Sequence, residues 1–126
     1  MTRLLLDTHV VIWWLAADPR LGAKARDAIA DRDGEVFVSA VTSFELATKK
    51  TLGKLDAPDD LAEQLEANAF EELPVTIAHG WEAGRLPLHH KDPFDRLLIA
   101  QARCEGLTLV TADQMLRSYD VVTMPA

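Results

Sequence analysis

The chain has one cysteine, Cys104, in 126 residues. It cannot close an intrachain disulfide, so nothing ties the protein to an oxidising compartment. Cys104 lies inside an apolar helical pattern, and we expect it in the core. No apolar run approaches the roughly 20 residues that cross a bilayer as a helix. The amino-terminal apolar stretch is broken by Asp7 and His9 and makes a poor signal peptide. A cytoplasmic protein without membrane association is the expectation. Positive charge is scarce: 13 Lys and Arg stand against 20 Asp and Glu, for a net charge of −7. That balance argues against non-specific coating of nucleic acid, yet leaves room for an enzyme with a local basic rim, or for a basic partner. Cysteine–histidine clusters with zinc spacing are missing. So are linkers, internal repeats and low-complexity segments, and one domain over 1–126 is expected.

What is there begins with Leu4-Leu5-Leu6-Asp7-Thr8-His9. Three leucines in a row read as a strand buried on both faces, ending at an aspartate. Strands are expected over 4–7, 36–38, 73–77 (interrupted by Pro74 and so at an edge), 107–110 and 121–123. Helices are expected over 9–16, 22–31, 39–52, 58–70, 78–84 and 93–105, with a helical turn over 113–117. The 39–52 helix has Thr42 or Ser43 near its start. The 93–105 helix has Asp92 as cap, Pro93 at its first position and Gly106 as terminator. The first helix is apolar nearly all round, with Trp13 and Trp14, and must be sandwiched or covered. Alternating strands and helices imply a three-layer α/β/α sandwich around a mainly parallel sheet.

In such sheets ligands sit beyond the carboxyl ends of the strands. Asp7, Glu45, Asp95 and Asp113 each fall at, or one to two turns beyond, a point where the chain emerges on that edge. Each has a bland explanation. Asp7 and Asp113 could cap the helices after them, and Asp95 sits three residues after Asp92 as in a capping box. Glu45 could pair with Lys49 at i+4. Glu45 fits its bland role least, because Val41, Phe44, Leu46 and Leu52 make its surroundings apolar. Four acids on one edge repel one another unless a cation sits among them, and all-oxygen ligation suits Mg²⁺ or Mn²⁺. Carboxylate-held metal with an activated water performs phosphoryl chemistry. The basic residues Lys49, Lys50, Lys54, Arg85, His89, His90 and Lys91 could hold a phosphate backbone, though a charge cluster is more often a solvated face.

Four stretches then occur in order. They are Leu4 to His9, Ser43-Phe44-Glu45-Leu46-Ala47 running on to Leu52-Gly53-Lys54-Leu55, His90 through Asp95 to Ala100, and Leu109-Val110-Thr111-Ala112-Asp113. Together they resemble the signature of the PIN domain, in particular the VapC-type ribonuclease toxins of type II toxin–antitoxin pairs. The resemblance covers essentially the whole chain. It implies a PIN-like fold and a metal-dependent endoribonuclease in which Asp7, Glu45, Asp95 and Asp113 bind Mg²⁺ or Mn²⁺ and a water cuts the RNA phosphodiester. Thr8 and Thr111 match polar positions beside the acids, and Asp92 is read as a cap. Lys49, Lys54, Arg85, His90, Lys91 and Arg96 are candidates for RNA contact. A VapB-type antitoxin that wraps the toxin is implied, with a homodimer and larger assemblies with the antitoxin. Phe44 stands where the family often has tryptophan.

Rival readings remain. An aspartate-nucleophile phosphatase would use Asp7, but the second aspartate of the haloacid-dehalogenase pattern is replaced by His9. Metal-free cleavage by His9, His79, His89 or His90 lacks an evident pair. A catalytically inactive PIN-like scaffold for RNA or protein binding predicts damage to the acidic set, and all four acids are intact.

Overall fold

The computed structural model describes residues 2–126. At its centre is β1 (Arg3–Leu6), whose Leu4, Leu5 and Leu6 are wholly buried. Alternation along the strand sends Leu4 and Leu6 to one face and Leu5 to the other. Leu4 and Leu6 pack with Val10 and Val11 of α1 (Thr8–Leu15) and with Ala25 and Ile29 of α2 (Ala23–Ala30). Leu5 packs with Leu98, Ile99 and Ala102 of α6 (Pro93–Glu105). Three consecutive apolar residues after the exposed Arg3 are what a strand covered on both faces requires.

Four more strands join it: β2 (Glu35–Ser39), β3 (Glu71–Leu73), β4 (Thr108–Thr111) and β5 (Thr123–Pro125). Their order is β3-β2-β1-β4-β5 and every pairing is parallel. The remaining helices are α3 (Ala40–Thr51), α4 (Leu61–Ala67) and α5 (Ile77–Arg85), with a 3₁₀ turn over Gln114–Ser118. The α/β/α sandwich is therefore as expected, with the sheet entirely parallel. The chain runs from β1 outward to β2 and β3, then returns to place β4 on the other side of β1. That reversal leaves a crevice at the carboxyl ends of β1 and β4, where open α/β sheets bind ligands.

Several expected elements shift. The helix expected over 58–70 is only α4: Ala69, at φ 58, is left-handed and ends it. Phe70 then turns in to pack against the β1–α1 core. The edge strand is β3, two residues earlier than expected. Its register is set by pairing Phe37 with Glu71 and Ser39 with Leu73, and Pro74 has no N–H to continue it. The last strand likewise pairs Leu109 with Thr123, so Val121 and Val122 precede it. Ser39 caps α3 by accepting from the Val41 N–H at 3.1 Å, in place of Thr42 or Ser43. Cys104 is exposed, on the solvent side of α6. No helix among the described residues is long and apolar enough to cross a membrane.

Candidate active site

Asp7 stands at the head of α1, where a carboxylate ordinarily caps the helix, yet its side chain makes no capping hydrogen bond. Its Oδ2 accepts from the Thr111 hydroxyl at 2.6 Å, across the β1–β4 seam. Asp7 is 7% exposed. Burial pushes its pKa up, outweighing the Thr111 hydroxyl, the Thr8 amide and the His9 charge, and the nearby Glu45 charge adds to the rise.

Glu45 lies on the second turn of α3 and is 4% exposed. Its Oε1 accepts from the Thr8 hydroxyl at 2.7 Å, and Lys49 Nζ donates to its Oε2 at 2.5 Å. The i+4 pair foreseen from sequence exists, but with its acid buried. That carboxylate holds the Lys49 ammonium above the ordinary lysine pKa against the opposing effect of burial; the charges of Asp92 and Asp95 add to it. Thr42, also buried, brings its hydroxyl to 3.5 Å from that of Thr8.

Asp92 caps α6, accepting from the N–H groups of Phe94 at 2.9 Å and Asp95 at 3.4 Å. Asp95 is thereby spared for the cleft, where its Oδ2 lies 2.7 Å from His90 Nε2. Burial pushes Asp95 up to about 6, with the charges of Asp7 and Asp92 adding to the rise and His90 opposing it. Asp113 caps the 3₁₀ turn through Oδ1, which accepts from Met115 N–H at 2.9 Å. Its Oδ2 is 4.0 Å from His90 Nε2.

Asp7, Glu45, Asp95 and Asp113, with His9 and Lys49, line one cleft of about 350 Å³. The four acids chosen from sequence thus share a wall. A larger groove of about 570 Å³ between α3 and α4 is mostly apolar and contains none of them. The donors fit a hard divalent cation. They are carboxylate oxygens, and burial, with repulsion between neighbouring acids adding to it, pushes Asp7 and Asp95 toward protonation, a tendency that a bound cation would oppose.

The basic candidates divide. Lys54, Arg85 and Lys91 are exposed on the surface. Lys49 is engaged with Glu45, and the His90 imidazole meets the Asp95 carboxylate. Arg96 is no RNA contact. It is buried, and its guanidinium donates to four backbone carbonyls, those of Ala83, Leu86, Pro87 and His90, at 2.9 to 3.2 Å. Those bonds close the end of α5 and pin the loop that follows. Tyr119 grips the same loop, its hydroxyl donating to Pro87 O at 3.0 Å and accepting from His90 N–H at 2.8 Å. Sequence reasoning missed Tyr119 and Thr42, and neither carries a local pattern that would have exposed it.

Fold and cleft together define an α/β/α protein with carboxylates gathered at the switch point of a parallel sheet. Residues 4–122 match the PIN domain, and the chain belongs to the PIN-domain family. Ribonuclease VapC22 of Mycobacterium tuberculosis is 36% identical over 122 residues, spanning 94% of this chain and 93% of that protein. Among solved structures, a chain of VapBC2 from Rickettsia felis, bound to a DNA fragment from its promoter, superposes with a TM-score of 0.72 at 15% identity, covering 98% of both chains. DNA-bound VapBC from Salmonella typhimurium gives 0.69 at 18% identity, covering 99% of this chain and 98% of that one.

Proposed function

We propose that the protein is a divalent-metal-dependent endoribonuclease, the toxin of a toxin–antitoxin pair. The observation that carries this is the convergence of Asp7, Glu45, Asp95 and Asp113 on one cleft from four separate elements. Similarity to a ribonuclease of the VapC type over nearly the full chain supports RNA as the substrate.

Asp7, Asp95 and Asp113 would hold the ion, with Glu45 beside them. A bound Mg²⁺ or Mn²⁺ supplies an activated water and neutralises charge developing on the scissile phosphate. The chain's own residues do the rest. Thr111 fixes the rotamer of Asp7, and Thr8 fixes that of Glu45. Lys49 pairs with Glu45 inside the fold and sets a positive charge at the cleft wall, where a phosphate oxygen can meet it. Exposed Lys54, Arg85 and Lys91 supply backbone contacts without base selectivity.

The partner is a VapB-type antitoxin; the acidic cleft and the net charge of −7 suit a basic side chain inserted from it. A homodimer, and larger assemblies with the antitoxin, belong to the same proposal. Trp14 contributes little to such contacts. It packs on Phe70 at 5.9 Å between ring centres and donates to Asn68 Oδ1 at 2.9 Å.

RNA cleavage by the purified, antitoxin-free protein tests this. Cutting that requires Mg²⁺ or Mn²⁺, stops in excess EDTA and is absent in Asp95→Asn is the expected result. Cutting that survives EDTA would transfer the chemistry to histidine and overturn metal dependence.

A further inference from the structure

His90 differs in kind from the two acids it faces, being a nitrogen donor beside the carboxylates of Asp95 and Asp113. Its Nε2 lies 2.7 Å from Asp95 Oδ2 and 4.0 Å from Asp113 Oδ2. One donor atom from each of these three residues falls within 4.8 Å of the other two. Two metal–ligand bonds of about 2.1 Å place opposite ligands about 4.2 Å apart. The three donors therefore occupy a space about the width of one coordination sphere.

The backbone that carries this imidazole is also held by a built support. His90 N–H donates to Tyr119 Oη, and His90 O accepts from Arg96 Nη1. Arg96 adds bonds to Pro87, Leu86 and Ala83, so the loop on both sides of its attachment is fixed to α6. Asp95 and Arg96 are neighbours on the first turn of α6. One meets the imidazole in the cleft while the other grips its backbone from the buried side. A solvent-facing histidine needs no such anchoring, and ligand orientation by surrounding hydrogen bonds is typical of metal centres.

We infer that His90 is itself a metal ligand, sharing an ion with Asp95 and Asp113, and that this makes the cleft select Mn²⁺ over Mg²⁺. The assignment rests on the metal-dependent reading above. Mg²⁺ keeps its waters and favours oxygen donors, so an imidazole adds little to its binding. Mn²⁺ accepts carboxylate and imidazole in the same shell.

The test is pulsed EPR on the Mn²⁺-loaded protein, with titration calorimetry for Mn²⁺ and for Mg²⁺. The wild-type spectrum should show nitrogen coupling from one directly bound imidazole, altered by ¹⁵N-histidine labelling. His90→Asn should lose that coupling and bind Mn²⁺ about tenfold or more weakly, with Mg²⁺ affinity nearly unchanged. His89→Asn, altering the adjacent histidine that meets the Tyr119 ring edge-on, should retain the coupling. Mn²⁺ bound without nitrogen coupling in the wild type would overturn His90 as a ligand and leave the metalloribonuclease reading standing. Equal weakening of both ions in His90→Asn would overturn the selectivity. Failure of the wild type to bind either ion would overturn both this inference and the metal-dependent function. The wild-type spectrum decides the ligation even if the variant folds poorly.

Discussion

Thr111 and Asp7, 104 residues apart in sequence, are joined by a 2.6 Å hydrogen bond across the seam between β4 and β1. The bond spends a buried hydroxyl on orienting a carboxylate that the helix after it does not use as a cap. Thr111→Val keeps the shape and removes the donor. Divalent-ion affinity should fall about tenfold to a hundredfold, the usual cost of losing such a supporting contact. Calorimetric titration of the variant checks this; unchanged affinity would show that Asp7 is oriented by other means.

Asp7→Asn should abolish cleavage and raise the melting temperature of the metal-free protein at pH 8. The native carboxylate is buried near Glu45, and its pKa is raised by that burial. A group raised in this way favours folding below its unfolded pKa, and the contribution is lost as pH rises through the folded value. The advantage of the amide should therefore shrink at pH 4. Differential scanning calorimetry in EDTA at both pH values measures it, and a large fall in melting temperature at pH 8 would identify Asp7 as a structural cap.

Asp95 gives a narrower window. Between its unfolded pKa near 3.8 and about 6 in the fold, the native state keeps a proton that the unfolded chain has released. Raising the pH through that interval removes stability from the metal-free protein. Asp95→Asn has no such interval, so its melting temperature relative to wild type should climb between pH 4 and pH 7. A flat difference across the range would contradict a desolvated Asp95.

Arg96→Leu should cost about 3 kcal/mol or more, because each buried carbonyl left without a donor costs about 1–3 kcal/mol. Arg96→Lys should recover only part of that loss, since an ammonium cannot reproduce the planar fork. Urea denaturation reads both. An Arg96 whose only role was to touch RNA would leave the midpoint where it was.

The exposed cations should behave in the opposite way. Replacing Lys54, Arg85 and Lys91 together with alanine should leave thermal stability unchanged and weaken RNA binding. If each neutralises one phosphate, the slope of log affinity against log salt should flatten by about 0.7 per residue on a single strand. Fluorescence anisotropy in the Asp95→Asn background, which should hold RNA without cutting it, gives the slope.

Elements that announce both their ends were legible in sequence. Pro93–Glu105 was bounded to the residue because Asp92-Pro93 opens it and Gly106, at φ 66, closes it. β1 was legible because its three leucines answer to two cores at once. β3 and β5 were misplaced because strands of three residues carry too little pattern; Glu71 and Glu72 belong to β3 only through pairing with Phe37 and Val38. The acids could be picked out because each lies at, or one to two turns beyond, a point where the chain emerges on the same edge. Arg96 could not, because an arginine next to an acid on a helix looks alike whether it turns outward or into the fold. Its direction is decided by where the 86–92 loop lies, and Cys104 failed for the same reason in reverse.

The pairing of β4 with β1 also governs when the protein can act during its own synthesis. A nascent chain complete through α5 already contains Asp7 and Glu45, but neither Asp95 nor the seam that holds Asp7 in place. The cleft closes only after the strand ending at Thr111 has left the ribosome and docked beside the first strand made. A chain that ends earlier lacks Thr111 and Asp113, and until β4 docks nothing holds the Asp7 carboxylate across the seam.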